Sequence, residues 1–184
     1  MRWESLFDDL EARFDQLADA ALLAELADRQ RVALGAVPFV ARLTGAIGAP
    51  VRLHVTTGAS VTGQLARVGP DWCLLAEGPG REVVVRLAAV TGVEGLGRAT
   101  GEAPAGVALR LDLRHVLRGV VRDRSPVAVV VTGGEFTGTL DRVGADFVEL
   151  ARHAAWESRR PDQVRSVLTV PLTAVVLVRA VPAG

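Results

Sequence analysis

Lysine, asparagine and tyrosine are absent from this chain, and isoleucine and cysteine each occur once. The missing lysine removes no positive charge, because all 21 basic residues are arginine. Such a bias follows GC-rich coding and carries no information about function. The single cysteine, Cys73, excludes an internal disulfide and a cysteine metal cage, and points to a reducing compartment. The start, MRWESLFDDLEARF, is acidic where a signal peptide is basic and then apolar. The longest uncharged apolar run, Val167 to Val178, is too short to span a bilayer. The expectation is a cytoplasmic protein with no membrane partner.

The 184 residues suffice for one domain or two small ones, and 49% hydrophobic content places the chain among ordinary globular proteins. Its net charge of zero hides an asymmetry. Residues 1–34 hold eight acids and four arginines, and the remainder thirteen acids and seventeen arginines. A body at net +4 permits nucleic-acid contact without demanding it.

Trp3, Phe7, Leu10, Phe14, Leu17, Ala21 and Ala24 recur at spacings of four and three with acids between them, which predicts an amphipathic helix over residues 2–33. Its apolar seam either zips to another copy or protein partner, or lies against its own domain. From Pro50 the pattern changes to short β-rich runs: VRLHVTT, SVTGQLARV, DWCLLAE, REVVVRL and AVTGV. From Pro126 the order recurs as VAVVVTG, EFTGTLDRV, DFVELAR, VLTVPL and AVVLV. Within these, GQLARVGPDWCLLA (Gly63 to Ala76) and GTLDRVGADFVELA (Gly138 to Ala151) agree at eight of fourteen positions without a gap. Internal duplication explains this, each copy being one folding unit. Gly63 and Gly138 fall inside strands, where glycine permits bending or close backbone approach. Trp72 and Phe147 open the next strand and read as core anchors, with a ligand platform as the alternative.

The division is residues 1–34 as an acidic helix, 35–95 as the first β unit, 96–107 as a glycine-rich linker and 108–184 as the second unit with its leading helix. In that helix Arg110, Arg114, Arg118 and Arg122 step by four opposite an apolar face, reading either as a solvated side or as a phosphate-contacting one. The third connection of the second repeat carries an insertion, Arg152 to Ser166, with Trp156, Arg159 and Arg160. There an aromatic beside arginines can stack a base and hold its phosphate, or pack back as a hairpin tip.

A helix, a charged turn ending in Pro-Val, then five strands with glycine inside the second: this pattern resembles the Sm-like (Hfq/Lsm-type) family of small β-barrels. The second repeat carries it through RDRSPV (Arg122 to Val127), TGGEFTGTL, DFVEL and VPLTAVVLV. The resemblance implies two tandem five-stranded Sm-like barrels, each preceded by a helix, in a mainly β protein that also has the long amphipathic N-terminal helix. It further implies RNA as a partner and a homo-oligomer formed through barrel edge strands. The family's uridine pocket uses a signature in the last turn that reads Arg86-Leu87-Ala88 and Pro171-Leu172-Thr173 here, without its Lys-His or Asn. What carries over is the rim contact by arginines ending the leading helix, at Arg122 and Arg124. The RNA-binding residues expected are therefore Arg118, Arg122, Arg124, Trp156, Arg159 and Arg160. His54, His115 and His153 lie far apart, and no His or Cys pair has metal-ligand spacing. The chain reads as a non-enzymatic RNA-binding protein without cofactor or metal, the alternative being an assembly module that has lost the nucleotide pocket.

Overall fold

Runs of valine, leucine and threonine, each closed by a glycine or proline turn, become ten antiparallel strands. The computed structural model describes residues 34–152 and 166–181 and selected positions between 13 and 32. The first five strands are β1 (Pro50–Val55), β2 (Ser60–Val68), β3 (Trp72–Gly78), β4 (Arg81–Arg86) and β5 (Val90–Glu94). The second five are β6 (Pro126–Val131), β7 (Gly134–Val143), β8 (Phe147–Arg152), β9 (Ser166–Pro171) and β10 (Val175–Ala180). Helix α1 (Phe39–Thr44) precedes β1 and α2 (Leu113–Asp123) precedes β6.

The strands form one open sheet in the order β5-β1-β2-β3-β4-β10-β6-β7-β8-β9. This corrects the expectation of two five-stranded barrels. Each half does run fifth, first, second, third, fourth. The fourth strand of the first half, however, turns outward and pairs with the fifth strand of the second, setting Val83, Val84 and Val85 opposite Arg179, Val178 and Leu177. Backbone groups that would otherwise close each half upon itself are satisfied across the junction. The long N-terminal helix needs correction as well. Residues 1–12 lie outside the described residues. The described positions between 13 and 35 are helical, but Leu17, Leu22, Leu23 and Val32 among them are all exposed, so a long helix with a covered apolar seam is not borne out there. Most helical stability in proteins comes from tertiary packing of the apolar face, which these side chains lack.

The duplication holds down to single hydrogen bonds. Gly69 donates its N–H to the Trp72 carbonyl at 2.8 Å as Gly144 does to Phe147 at 2.8 Å, and Leu87 donates to Asp71 as Leu172 does to Asp146. Bulges fall at matched places, between Leu65 and Arg67 and between Leu140 and Arg142, and such bulges bend and twist a strand. Gly63 and Gly138 lie just before them. A Cβ on Gly63 would stand 2.6 Å from the Ala76 carbonyl oxygen, and one on Gly138 would meet that of Ala151. Glycine is kept at both because the neighbouring backbone leaves no room for a side chain.

Two apolar clusters form the core, and each borrows from the other half. The first gathers Leu43, Leu53, Leu65, Leu75 and Val85 together with Val176 and Leu177 from β10. The second gathers Leu117, Val129, Leu140 and Leu150 together with Trp72 and Val84 from the first half. The glycine-rich stretch between the halves is tied down: the Arg42 guanidinium donates to the carbonyls of Gly97, Arg98 and Ala99 at 2.5, 2.9 and 2.8 Å. The described residues from Phe39 onward accordingly form one compact unit.

Candidate functional site

Helix α2 is placed by capping. Asp112, its N-cap, accepts the His115 N–H at 2.9 Å, and Asp71 from the other half accepts the Leu113 N–H at 2.8 Å. The first helical position is therefore Leu113, and Arg110 lies in a separate 3-10 turn, Gly106–Arg110. The basic row predicted over four arginines is thus three within the helix. Leu113 and Leu117 point into the core, and Arg114, Arg118 and Arg122 line the exposed side. Arg114 is engaged by Asp112 at 2.7 Å and by the Ala145 carbonyl at 3.2 Å. Arg122 donates through Nε to the Arg118 carbonyl at 3.3 Å. Arg124 ends the helix in the left-handed region, φ 56°, donating its backbone N–H to Val120. Arg118 and Arg122 are thus one turn apart on the exposed side of α2, and Arg124, also exposed, stands at its C-cap. Trp156, Arg159 and Arg160 lie outside the described residues.

Two apolar hollows flank the junction, and neither was visible in the sequence. One, of about 360 Å3, is lined by Thr44, Ile47, Arg67, Trp72, Glu102 and Leu111. The other, of about 510 Å3, runs between α2 and the strands of the first half and is lined by Trp72, Leu74, Glu82, Val116 and Val120. Trp72 borders both and is only 8% exposed, donating its indole N–H to the Leu111 carbonyl at 2.7 Å. It serves as a core anchor. Its counterpart Phe147 is half-buried beside an exposed Asp146, with no leading helix over it among the described residues. The equal burial of the two aromatics that their matched positions suggest is not found.

Titratable groups at the junction follow their surroundings. Burial raises the Asp71 carboxyl above its ordinary value of 3.8, the Leu113 N–H offsetting part of this. At Asp112 burial acts upward too, but the His115 N–H and the Arg114 guanidinium outweigh it and hold the group below 3.8. Cys73 is fully buried and its thiol is pushed up to about 12, which leaves it inert as a nucleophile at neutral pH. On the exposed face of β1, His54 Nε2 meets Glu94 at 2.7 Å, and that hydrogen bond lowers the Glu94 carboxyl. Among the described residues no group of three His, Cys, Asp or Glu is disposed to hold a metal ion, and no helix is long and apolar enough to cross a membrane.

A pH experiment isolates the clasp between the halves. Because the folded-state value of Asp71 is raised, its contribution is fully present below 3.8 and is lost as pH rises through the raised value. Asp71→Asn keeps the oxygen that accepts from Leu113 and removes the buried charge. It should match or exceed wild-type stability at neutral pH and lose that advantage in acid. Asp71→Ala, lacking the acceptor, should cost about 1 kcal/mol. Urea midpoints of the three proteins at acidic and neutral pH check this, and equal losses for both variants would show that the charge itself is needed.

No family model matches the chain, and no curated protein is significantly similar to it.

Proposed function

We propose that the protein is a non-enzymatic interaction and assembly module. One observation carries the reading: among the described residues the ten-stranded sheet ends in β5 and β9, each paired on one side only. Natural edge strands are normally covered or guarded by charge, and β9 has no charged residue from Ser166 to Pro171, with Val167 57% exposed. The apolar hollows beside Trp72 add surface that a partner can fill. Support for a non-enzymatic role comes from the state of the reactive side chains: Cys73 is buried with a raised pKa, and His54 is engaged by Glu94 on an open sheet face. Light scattering coupled to size exclusion tests the reading. A mass that grows with protein concentration supports it, and a strict monomer that captures no partner overturns it.

RNA contact is the second reading, favoured by the exposure of Arg118, Arg122 and Arg124 along the C-terminal part of α2. These guanidinium groups are suited to phosphate, and no base-reading side chain stands with them among the described residues, so binding through them should be insensitive to sequence and weaken steeply with salt. Converting all three to Ala should abolish most of the binding. If each contacts one phosphate of a single strand, the log K against log salt slope should also fall by about 2. Anisotropy of a labelled single-stranded RNA over a salt series measures both. Unchanged affinity in the triple variant would remove this surface from consideration.

A further inference from the structure

We propose that the larger hollow beside Trp72 is a binding site for an amphipathic monocarboxylate, a small molecule with an aliphatic body and a single carboxylate, held by Arg67. This site goes beyond the assembly reading and does not depend on the sheet edges that carry it. The duplication supplies an internal comparison. In the second half Arg142 of β7 stands across from Glu149 of β8 and pairs with it at 3.6 Å. In the first half the same register sets Arg67 of β2 across from Leu74 of β3, so an apolar side chain stands where the second half has its acid. Arg67 makes no hydrogen bond or ion pair among the described residues. Its guanidinium therefore borders an apolar hollow without a counter-ion.

The hollow arises where α2 meets the first half. Leu113 and Leu117 are buried in the second core, whereas Val116 and Val120 of the same helix are only half-buried. They line the hollow together with Leu74, Val84 and Trp72 of the first half. Its volume of about 510 Å3 falls within the range of about 300–1,000 Å3 of small-molecule sites, which are mostly apolar, carry a few polar groups and favour the boundary between structural units. Aliphatic walls suit an aliphatic body. The planar fork of Arg67 suits a carboxylate, which a guanidinium can hold through two parallel hydrogen bonds, and the His115 ring on the same lining adds a donor. Two acids limit the charge that can enter. Glu82 borders this hollow, and Glu102 borders the adjoining one, which Arg67 and Trp72 also line. A ligand with a second negative charge would be repelled by them, so a monocarboxylate is preferred to a phosphate or a nucleic-acid strand.

Decanoate, decanol and decyl phosphate share one tail and differ in head group, which makes them suitable probes. Trp72 lines the hollow and reports their entry by fluorescence once Trp3→Phe and Trp156→Phe leave it as the only tryptophan of the full chain. Decanoate, kept below its micelle-forming concentration, should give a saturable change. Decanol should bind about tenfold more weakly, the effect of losing a charge-assisted hydrogen bond, and decyl phosphate should also bind more weakly than decanoate. Arg67→Gln should bring decanoate to the level of decanol and leave decanol unchanged. Leu74→Glu, which recreates in the first half the pair that Arg142 makes with Glu149, should abolish decanoate binding. Wild-type circular dichroism and an unaltered urea midpoint show that Arg67→Gln leaves the fold intact. Equal affinity for decanoate and decanol, or wild-type decanoate binding by Arg67→Gln, overturns the role of Arg67. Decyl phosphate held as tightly as decanoate overturns the monocarboxylate class. The absence of a saturable change with any probe overturns the site altogether and leaves the assembly reading as it stands.

Discussion

Replacing Trp72 with alanine is expected to cost about 3–5 kcal/mol, the range for truncating a large buried aromatic. The ring is only 8% exposed and packs into the apolar cluster of the other half, with Leu113, Leu117 and Val84. Truncation opens a cavity there and also strips the Leu111 carbonyl of its indole donor. Trp72→Phe separates the two losses, since it retains most of the apolar surface and forfeits only the hydrogen bond, worth about 1 kcal/mol net. Phe147→Ala, at the matched but half-buried position, should cost less than Trp72→Ala. Chemical denaturation of the four proteins orders these effects, and a Trp72→Ala variant with the wild-type midpoint would show that the ring contributes nothing to the junction.

Leu177→Ala is the reciprocal experiment, with an expected loss of about 2–5 kcal/mol for a buried leucine. The residue belongs to the second half, is 3% exposed, and packs among Leu53, Leu65 and Leu75 of the first. It also lies opposite Val85 on one side and Val130 on the other, at the point where β10 bridges β4 and β6. Because each core contains side chains of the other half, damage at either place should lower the stability of both. The native protein and both variants should unfold in one transition by far-ultraviolet circular dichroism. Two resolved transitions in the native protein would show that the halves stand independently and that the exchange of core residues is energetically minor.

The β segments could be read from the chain because strand signals are local. Alternation in SVTGQLARV and the turns at Gly58, Gly69 and Gly144 depend on residues adjacent in sequence, and all ten runs became strands near their expected bounds. The duplication was legible for the same reason, since matched residues keep matched hydrogen bonds. Even the need for glycine at 63 and 138 could be stated in advance, though not which carbonyl made it necessary. The arginines of α2 were correctly placed on one side, but the start of the helix was misplaced. Its second cap, Asp71, comes from 42 residues upstream in another turn.

What the sequence by itself determined is the set of strands, their succession along the chain and the repetition of the unit. What only the tertiary structure decided is how the halves meet. Backbone N–H and C=O groups on β4 are chemically the same as those on any strand, so no side-chain pattern announces that β10, rather than β5, will take them. The choice is made by burial across the junction, where Trp72, Val84, Val176 and Leu177 lose water only when the two halves exchange them. That long-range packing converts two expected barrels into one open sheet, creates the hollows beside Trp72 and leaves β5 and β9 as its edges among the described residues.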